Sequence, residues 1–266
     1  MPNKAGPKSE DRQAPSLLPG KPDYGTDDPV TIFSLLAAGI LVAASGFSVQ
    51  FLRSTLGPLW VFMLSLLLLL AGLIFIGFGA GLYLGRKAWK PREVARLAAT
   101  ISWGGNEVVL DIGSGRGMFA NTVAARLKDG LVVSLDRWRP TEVTGNSPAS
   151  LLANARICGT ESKISLVMGE PTHLPFKDRA FDAVVSGMAL HRLKGSLEMR
   201  KASVQVIRVL KDGGRVALLI AGNSSVFEEI TEEGRLKEAK VSRLRLGLLP
   251  PAHSIEGRVA YHTAEA

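Results

Sequence analysis

An acid and three glycines at alternate positions follow a short apolar run in V-V-L-D-I-G-S-G-R-G-M-F-A, Val108–Ala120. Glycines lack a Cβ, so a ligand there can touch backbone N–H groups directly. A second acid, Asp136, ends the apolar run L-V-V-S-L-D-R-W. A carboxylate in that place can accept from two vicinal hydroxyls at once. A third acid, Glu170, opens G-E-P-T-H-L-P-F, Gly169–Phe176. His191, in S-G-M-A-L-H, is the one candidate general base, with a packed structural histidine as the competing reading. The four histidines show no H-E-x-x-H or Cys/His spacing, and the single cysteine, Cys158, excludes an intramolecular disulfide and any site needing several thiols. No metal site is expected.

Nucleotide ligands compete for such a loop. A phosphate-binding P-loop would need G-x-x-x-x-G-K-[ST], which is absent. A dinucleotide fingerprint, G-x-G-x-x-G, would put its third glycine where Met118 stands, and Gly117 is one residue early. What remains is [DE]-x-G-x-G-x-G.

The elements that would position these residues alternate. Strands are predicted at Val108–Ile112, Leu131–Asp136, Ile164–Gly169, Phe181–Ser186 and Arg215–Ala221, with helices near Met118–Leu127, Pro148–Cys158 and Ser196–Leu210. Such alternation predicts a parallel sheet with helices on both faces. A later helix, Ser225–Leu236, leads to strands at Ala239–Leu246 and Ser254–His262, which are close enough to pair antiparallel. Leu248–Pro251, L-L-P-P, is either a turn between them or part of a cover over the acceptor pocket.

The motif set resembles the class I S-adenosylmethionine-dependent methyltransferases over roughly residues 90–262. The first motif has the family's form. The resemblance implies cofactor contacts from Asp111, Ile112, Gly113, Ser114, Gly115 and Gly117. It gives Asp136 the ribose hydroxyls and sets Arg137 and Trp138 beside the adenine. Gly169–Phe176 is similar to the family's G-D-A-x-x-L-P-F element, with Glu170 for the commoner Asp and Pro171 for a small residue. F-D-A-V-V-S, ending at Ser186, resembles the fourth strand, and Arg208–Val216 the turn before the fifth, with Asp212 where Pro is frequent. A subgroup of the family shares the G-N-S-P segment, Gly145–Pro148, and the segment ending at His191. The expected fold is a Rossmann-like seven-stranded sheet, and the expected cofactor is S-adenosyl-L-methionine.

The first 85 residues are of another kind. Residues 1–29 hold four basic and five acidic side chains among many Pro and Gly, and read as a disordered tail. Asp28 and Arg53 then bracket 24 residues without a charge, and Arg53 and Arg86 another 32. Val30–Leu52 as a helix is about 35 Å long against a bilayer core of about 30 Å. With Leu59–Leu84 it predicts a transmembrane hairpin, residues 30–52 and 59–84, ahead of a methyltransferase domain at 86–266. Gly77, Gly81 and Gly85 fall on one helical face, for close approach of the first helix or of a second protomer in a homo-oligomer. Arg86, Lys87, Lys90, Arg92 and Arg96 follow the second span, while the connector offers only Arg53. By the positive-inside rule both termini and the large domain face the cytoplasm, in a multi-pass protein of the cytoplasmic membrane.

The whole net charge of +8 resides in residues 86–266, which hold 27 basic and 19 acidic side chains. A basic domain beside a membrane suits anionic headgroups, and no nucleic-acid signature accompanies it. The expected partners are membrane lipids and a small, lipophilic methyl acceptor. A protein or soluble-metabolite acceptor and a non-catalytic cofactor-binding scaffold are the alternatives.

Overall fold

The computed structural model describes residues 20–193, 195–221, 236–242 and 251–261. Helix α1, Pro29–Ser48, opens the chain's helical part. A 3-10 turn, Val49–Leu52, and the single turn α2, Arg53–Leu56, reverse the chain. Helix α3, Pro58–Thr100, then runs for 43 residues, about 65 Å at 1.5 Å per residue. The predicted second span and the predicted amphipathic helix after Lys90 are therefore one element, and a boundary at residue 86 falls inside it. Pro91 costs that helix one internal hydrogen bond without ending it.

The remaining elements are β1 (Val108–Ile112), α4 (Met118–Ala124), β2 (Leu131–Asp136), α5 (Pro148–Ile157), β3 (Ile164–Met168), β4 (Phe181–Gly187), α6 (Gly195–Val209), β5 (Leu210–Ala221), β6 (Leu236–Val241) and β7 (Ala252–Val259). They form one seven-stranded sheet in the order β3-β2-β1-β4-β5-β7-β6. The first five strands are parallel, and β7 runs antiparallel between β5 and β6. The seven-stranded Rossmann-like sheet expected from the motifs is present, including its antiparallel last pair. Of the predicted helix Ser225–Leu236, only Leu236 lies among the described residues, where it begins β6; Leu248–Pro250 also lie outside them.

Alternating side chains of the parallel strands feed two cores. On one face Leu110, Ile112, Val184 and Leu218 pack with Val206 and Ile207 of α6. On the other, Val109, Val185 and Leu219 pack with Phe119 and Val123 of α4, with Val94 and Leu97 of α3 and with Ile101 just after it. The lower end of α3 is thus a core helix of the domain. Arg96 fastens it further, with bonds to Ser254 Oγ (2.9 Å) and Glu256 Oε1 (3.1 Å) on β7.

The upper part of α3 pairs with α1. A Cβ on Gly72 would fall 2.6 Å from the Gly39 carbonyl oxygen, and one on Gly39 2.7 Å from Ile76 Cγ1. The close approach therefore uses Gly39 and Gly72; Gly77, on the predicted glycine face, has nothing within 4 Å. Both helices are long and apolar enough to cross a membrane, with mean hydropathies of 2.1 and 2.8 over their most apolar stretches. Only 17% and 11% of those stretches are buried, unlike a soluble protein's core helices.

Residues 20–28 differ from the disordered tail expected of them. Asp28 N–H donates to the Glu142 carbonyl (2.8 Å) and Thr144 N–H to the Thr26 carbonyl (3.0 Å), a short antiparallel bridge. Asn154, on α5, donates to the Asp23 carbonyl (2.8 Å) and accepts from Asp23 N–H (2.9 Å). Composition missed this strap because it is held by backbone bonds and single polar anchors rather than by apolar mass.

Candidate cofactor-binding site

The sheet order changes direction beside β1, whose neighbours β2 and β4 leave on opposite sides. Ligands of open α/β sheets bind at the carboxyl ends of the strands at such a switch. The glycine loop lies there. Gly113 N–H and Ser114 N–H donate to the Leu135 carbonyl, at 2.7 and 3.2 Å. Gly115 N–H donates to Asp136 Oδ2 (2.8 Å), which joins the loop to the tip of β2. Gly113 has φ +70°, and a Cβ there would lie 2.0 Å from Ala189 Cβ. Gly117 has φ +84°, and its Cβ would lie 2.9 Å from Leu151 Cγ on α5. Gly113 is thus required by the loop after β4, and Gly117 by helix packing. Gly113→Ala is expected to abolish cofactor binding and to lower stability by about 2 kcal/mol or more, from left-handed strain plus overpacking. A melting curve with and without cofactor checks this.

Two clefts meet at the loop, with about 470 and 370 Å³ of open space. Both are lined by Gly113, Asp136, Ala189 and Arg192. The first extends past Ser114 and Gly115 to Asp111, Lys90, Tyr24 and Asp27. The second extends past Arg137 to Gly169 and Pro171.

Asp136 is 6% exposed, and its Oδ1 accepts from Trp138 N–H (2.5 Å) and Asn146 Nδ2 (3.4 Å). Asp111 is fully buried, and its carboxylate oxygens make no hydrogen bond of good geometry, only weak ones from Ser114 and the Ala120 N–H. Burial pushes its carboxyl up to about 7, against the opposing pull of Ser114 and the Ala120 N–H; the nearby charge of Asp136 adds to the rise and Lys90 opposes it. A buried acid so poorly satisfied, beside bare glycines, fits a ligand that brings a positive charge. Tyr24 is held neutral at ordinary pH, burial raising its phenol well above the usual range.

Residues 110–218 match a family model described as a methyltransferase domain. The chain carries a methyltransferase domain. The cofactor of the methyltransferase domain is S-adenosylmethionine. A putative methyltransferase of Encephalitozoon cuniculi is 39% identical over 75 residues, 28% of this chain and 34% of the relative. A demethylmenaquinone methyltransferase of Roseiflexus castenholzii is 33% identical over 133 residues, 50% of this chain and 49% of the relative. A relative of the same name from Lactiplantibacillus plantarum is 30% identical over 134 residues, 49% of this chain and 50% of the relative. The chain therefore spans half or less of the length of these relatives. Among solved structures, the YcgJ protein of Bacillus subtilis superposes with a TM-score of 0.50 at 16% identity, covering 64% of this chain and 99% of that one. The [4+2]-cyclase SpnF superposes with a TM-score of 0.51 at 18% identity, covering 64% and 80%. At these identities the likeness concerns the fold.

Within the methyltransferase domain, the structure gathers Asp111, Gly113, Ser114, Gly115, Asp136, Arg137, Gly169 and Pro171 around the two clefts. Other expected site residues lie elsewhere. Ile112 is a core residue, and Ser186 Oγ donates to its carbonyl (2.8 Å), tying β4 to β1. Trp138, at φ +46° and 8% exposed, lines neither cleft. Glu170 stands outside the second cleft, 3.7 Å from Arg137 Nη1 and 3.9 Å from Arg139 Nη2. His191, in the turn Leu190–Arg192, lines neither cleft, whereas its neighbour Arg192 lines both.

The residues not anticipated are Tyr24, Asp27, Lys90, Glu142 and Arg192. Lys90 Nζ meets Asp27 Oδ2 at 2.5 Å, and Arg192 Nη2 stands 3.5 Å from Asp27 Oδ1. Arg192 also donates to the Glu142 carbonyl (2.8 Å), and Arg137 pairs with Glu142 Oε1 (2.6 Å). The uncharged stretches that flag the hairpin draw attention away from the charges at its feet.

Proposed function

We propose that the chain is a membrane-anchored methyltransferase that moves the methyl group of S-adenosylmethionine onto a small lipophilic acceptor drawn from the bilayer. The continuity of α3 carries this reading. Gly85 ends the uncharged stretch, and Lys90 and Val94, on the same helix, line the first cleft. Lys90 lies five positions on from Gly85, about 8 Å along the axis. The donor site therefore stands at the edge of the apolar region, and a lipid-dissolved acceptor has a short path to it. Lys87 lies over the Tyr83 ring (5.6 Å to its centroid) and Arg92 over that of Trp89 (5.8 Å), the aromatic and basic pairing that favours a headgroup layer. The relatives named for demethylmenaquinone, a lipophilic acceptor, support the same class of substrate.

Bound S-adenosylmethionine supplies a methyl group on a sulfonium, which leaves by in-line displacement. The chain's own work is alignment and exclusion of water. The glycine loop and Asp136 hold the donor end, while Val94, Phe119 and Met188 give the first cleft an apolar wall.

The test uses detergent-solubilised full-length protein, methyl-labelled cofactor and a membrane extract. Label is expected in the organic-soluble fraction, and Asp136→Ala should remove it. Label confined to protein or to water would replace the lipophilic acceptor with one of those classes.

A further inference from the structure

We infer that Asp27 and Lys90, one from each foot of the apolar hairpin, are binding residues for the zwitterionic amino-acid end of the cofactor. The inference rests on the cofactor assignment, and the order of the two clefts does the rest. Asp136 borders both, and Arg137, Gly169 and Pro171 line only the second. A nucleoside with its ribose at Asp136 and its base in the second cleft must extend its amino-acid end into the first.

The first cleft is lined with charges of both signs. Lys90 and Arg192 face Asp27 there, at 2.5 and 3.5 Å, and the three side chains are 12%, 18% and 14% exposed. Such a buried ion group adds little stability over apolar residues of equal volume, so its presence calls for another use. The amino-acid end carries a carboxylate, to which Lys90 can donate, and an ammonium, from which Asp27 can accept. The two side chains neutralise each other when no ligand is bound and complement a zwitterion when it is.

Both feet are held in place before any ligand arrives. Asp27 lies in the strap bridged to Val143, and Asp23 is pinned by Asn154 and by Arg116 of the glycine loop (3.0 Å). Two residues past Asp27, Pro29 opens α1. Lys90 sits on α3, whose next turns are core to the domain. Preorganisation of this kind reduces the ordering cost of binding. Both residues lie outside the 110–218 match, so the amino-acid end of the site belongs to the hairpin and not to the shared domain. A fragment starting at residue 86 would lack Asp27 altogether.

The experiment compares S-adenosylmethionine with methylthioadenosine, which keeps adenine and ribose but has no amino-acid end. Titration calorimetry is run on full-length protein in detergent, with Asp27→Asn and Lys90→Met as separate variants. Each variant should weaken S-adenosylmethionine at least tenfold and leave methylthioadenosine within twofold. Equal weakening of both ligands would mean a structural role only, and unchanged S-adenosylmethionine affinity would mean no role; either overturns the inference. Failure of the wild type to bind either ligand would overturn the cofactor assignment instead, and this inference with it.

Discussion

Replacing Asp136 with Ala should weaken S-adenosylmethionine binding about a hundredfold or more. Two ribose hydroxyls would lose a charged acceptor, each bond worth about 1.5–3 kcal/mol, and every 1.4 kcal/mol is a factor of ten. The loop would suffer as well. Gly115 N–H and Trp138 N–H both end on this carboxylate, which fixes the glycine loop against the tip of β2. Asp136→Asn should be nearly as severe despite its matched shape. Its amide would turn a donor toward one of those two N–H groups. Methylthioadenosine should weaken in parallel, because it shares the ribose, and this sets Asp136 apart from Asp27 and Lys90. An Asp136→Ala variant that binds the cofactor normally would remove the ribose role.

The second large effect is a pH dependence written by Asp111. Its carboxyl stands at about 7 in the folded protein, raised from 3.8 first by burial. The cofactor brings a sulfonium and an ammonium into the cleft, which favours the ionised form. Affinity should therefore rise with pH up to about 7 and level off above it. Below that point the gain approaches tenfold per pH unit, the limit for one linked proton. Calorimetry in buffers of different ionisation heat should detect close to one proton released at low pH and none at pH 8.

Stability of the ligand-free protein runs the other way. The folded state holds this proton more tightly than the unfolded chain. The contribution is therefore full below 3.8 and is lost as pH rises through about 7. Asp111→Asn should stabilise the folded protein at pH 8 by up to about 4 kcal/mol, read as a higher melting temperature. It should also flatten the affinity profile and weaken binding. A variant that kept the wild-type profile would assign the proton elsewhere.

The central strands β1, β2 and β4 were legible because they are buried on both faces. Val108–Ile112 and Leu131–Asp136 appear at the residues their apolar runs predict. The loop was legible because Gly113 and Gly117 answer to steric demands that no other residue meets. Trp138 was set beside the adenine by the resemblance alone, but its own left-handed backbone after β2 turns it into the protein. Asp27 and Lys90 were not legible. They are 63 residues apart in sequence, and only the hairpin's reversal brings them together. Nor does composition reveal that α3 continues through Pro91, since a proline after a charged turn reads as a boundary.

The measurement that bears most directly on the account is a surface-dilution assay. Full-length protein is reconstituted in vesicles made with a fixed amount of membrane extract and increasing inert phospholipid. The cofactor is methyl-labelled, and organic-soluble label is counted over time. If the acceptor reaches the site from the bilayer, the rate will fall in proportion to its mole fraction in the membrane, although its bulk concentration never changes. A rate that ignores inert lipid and follows bulk concentration alone would contradict the account.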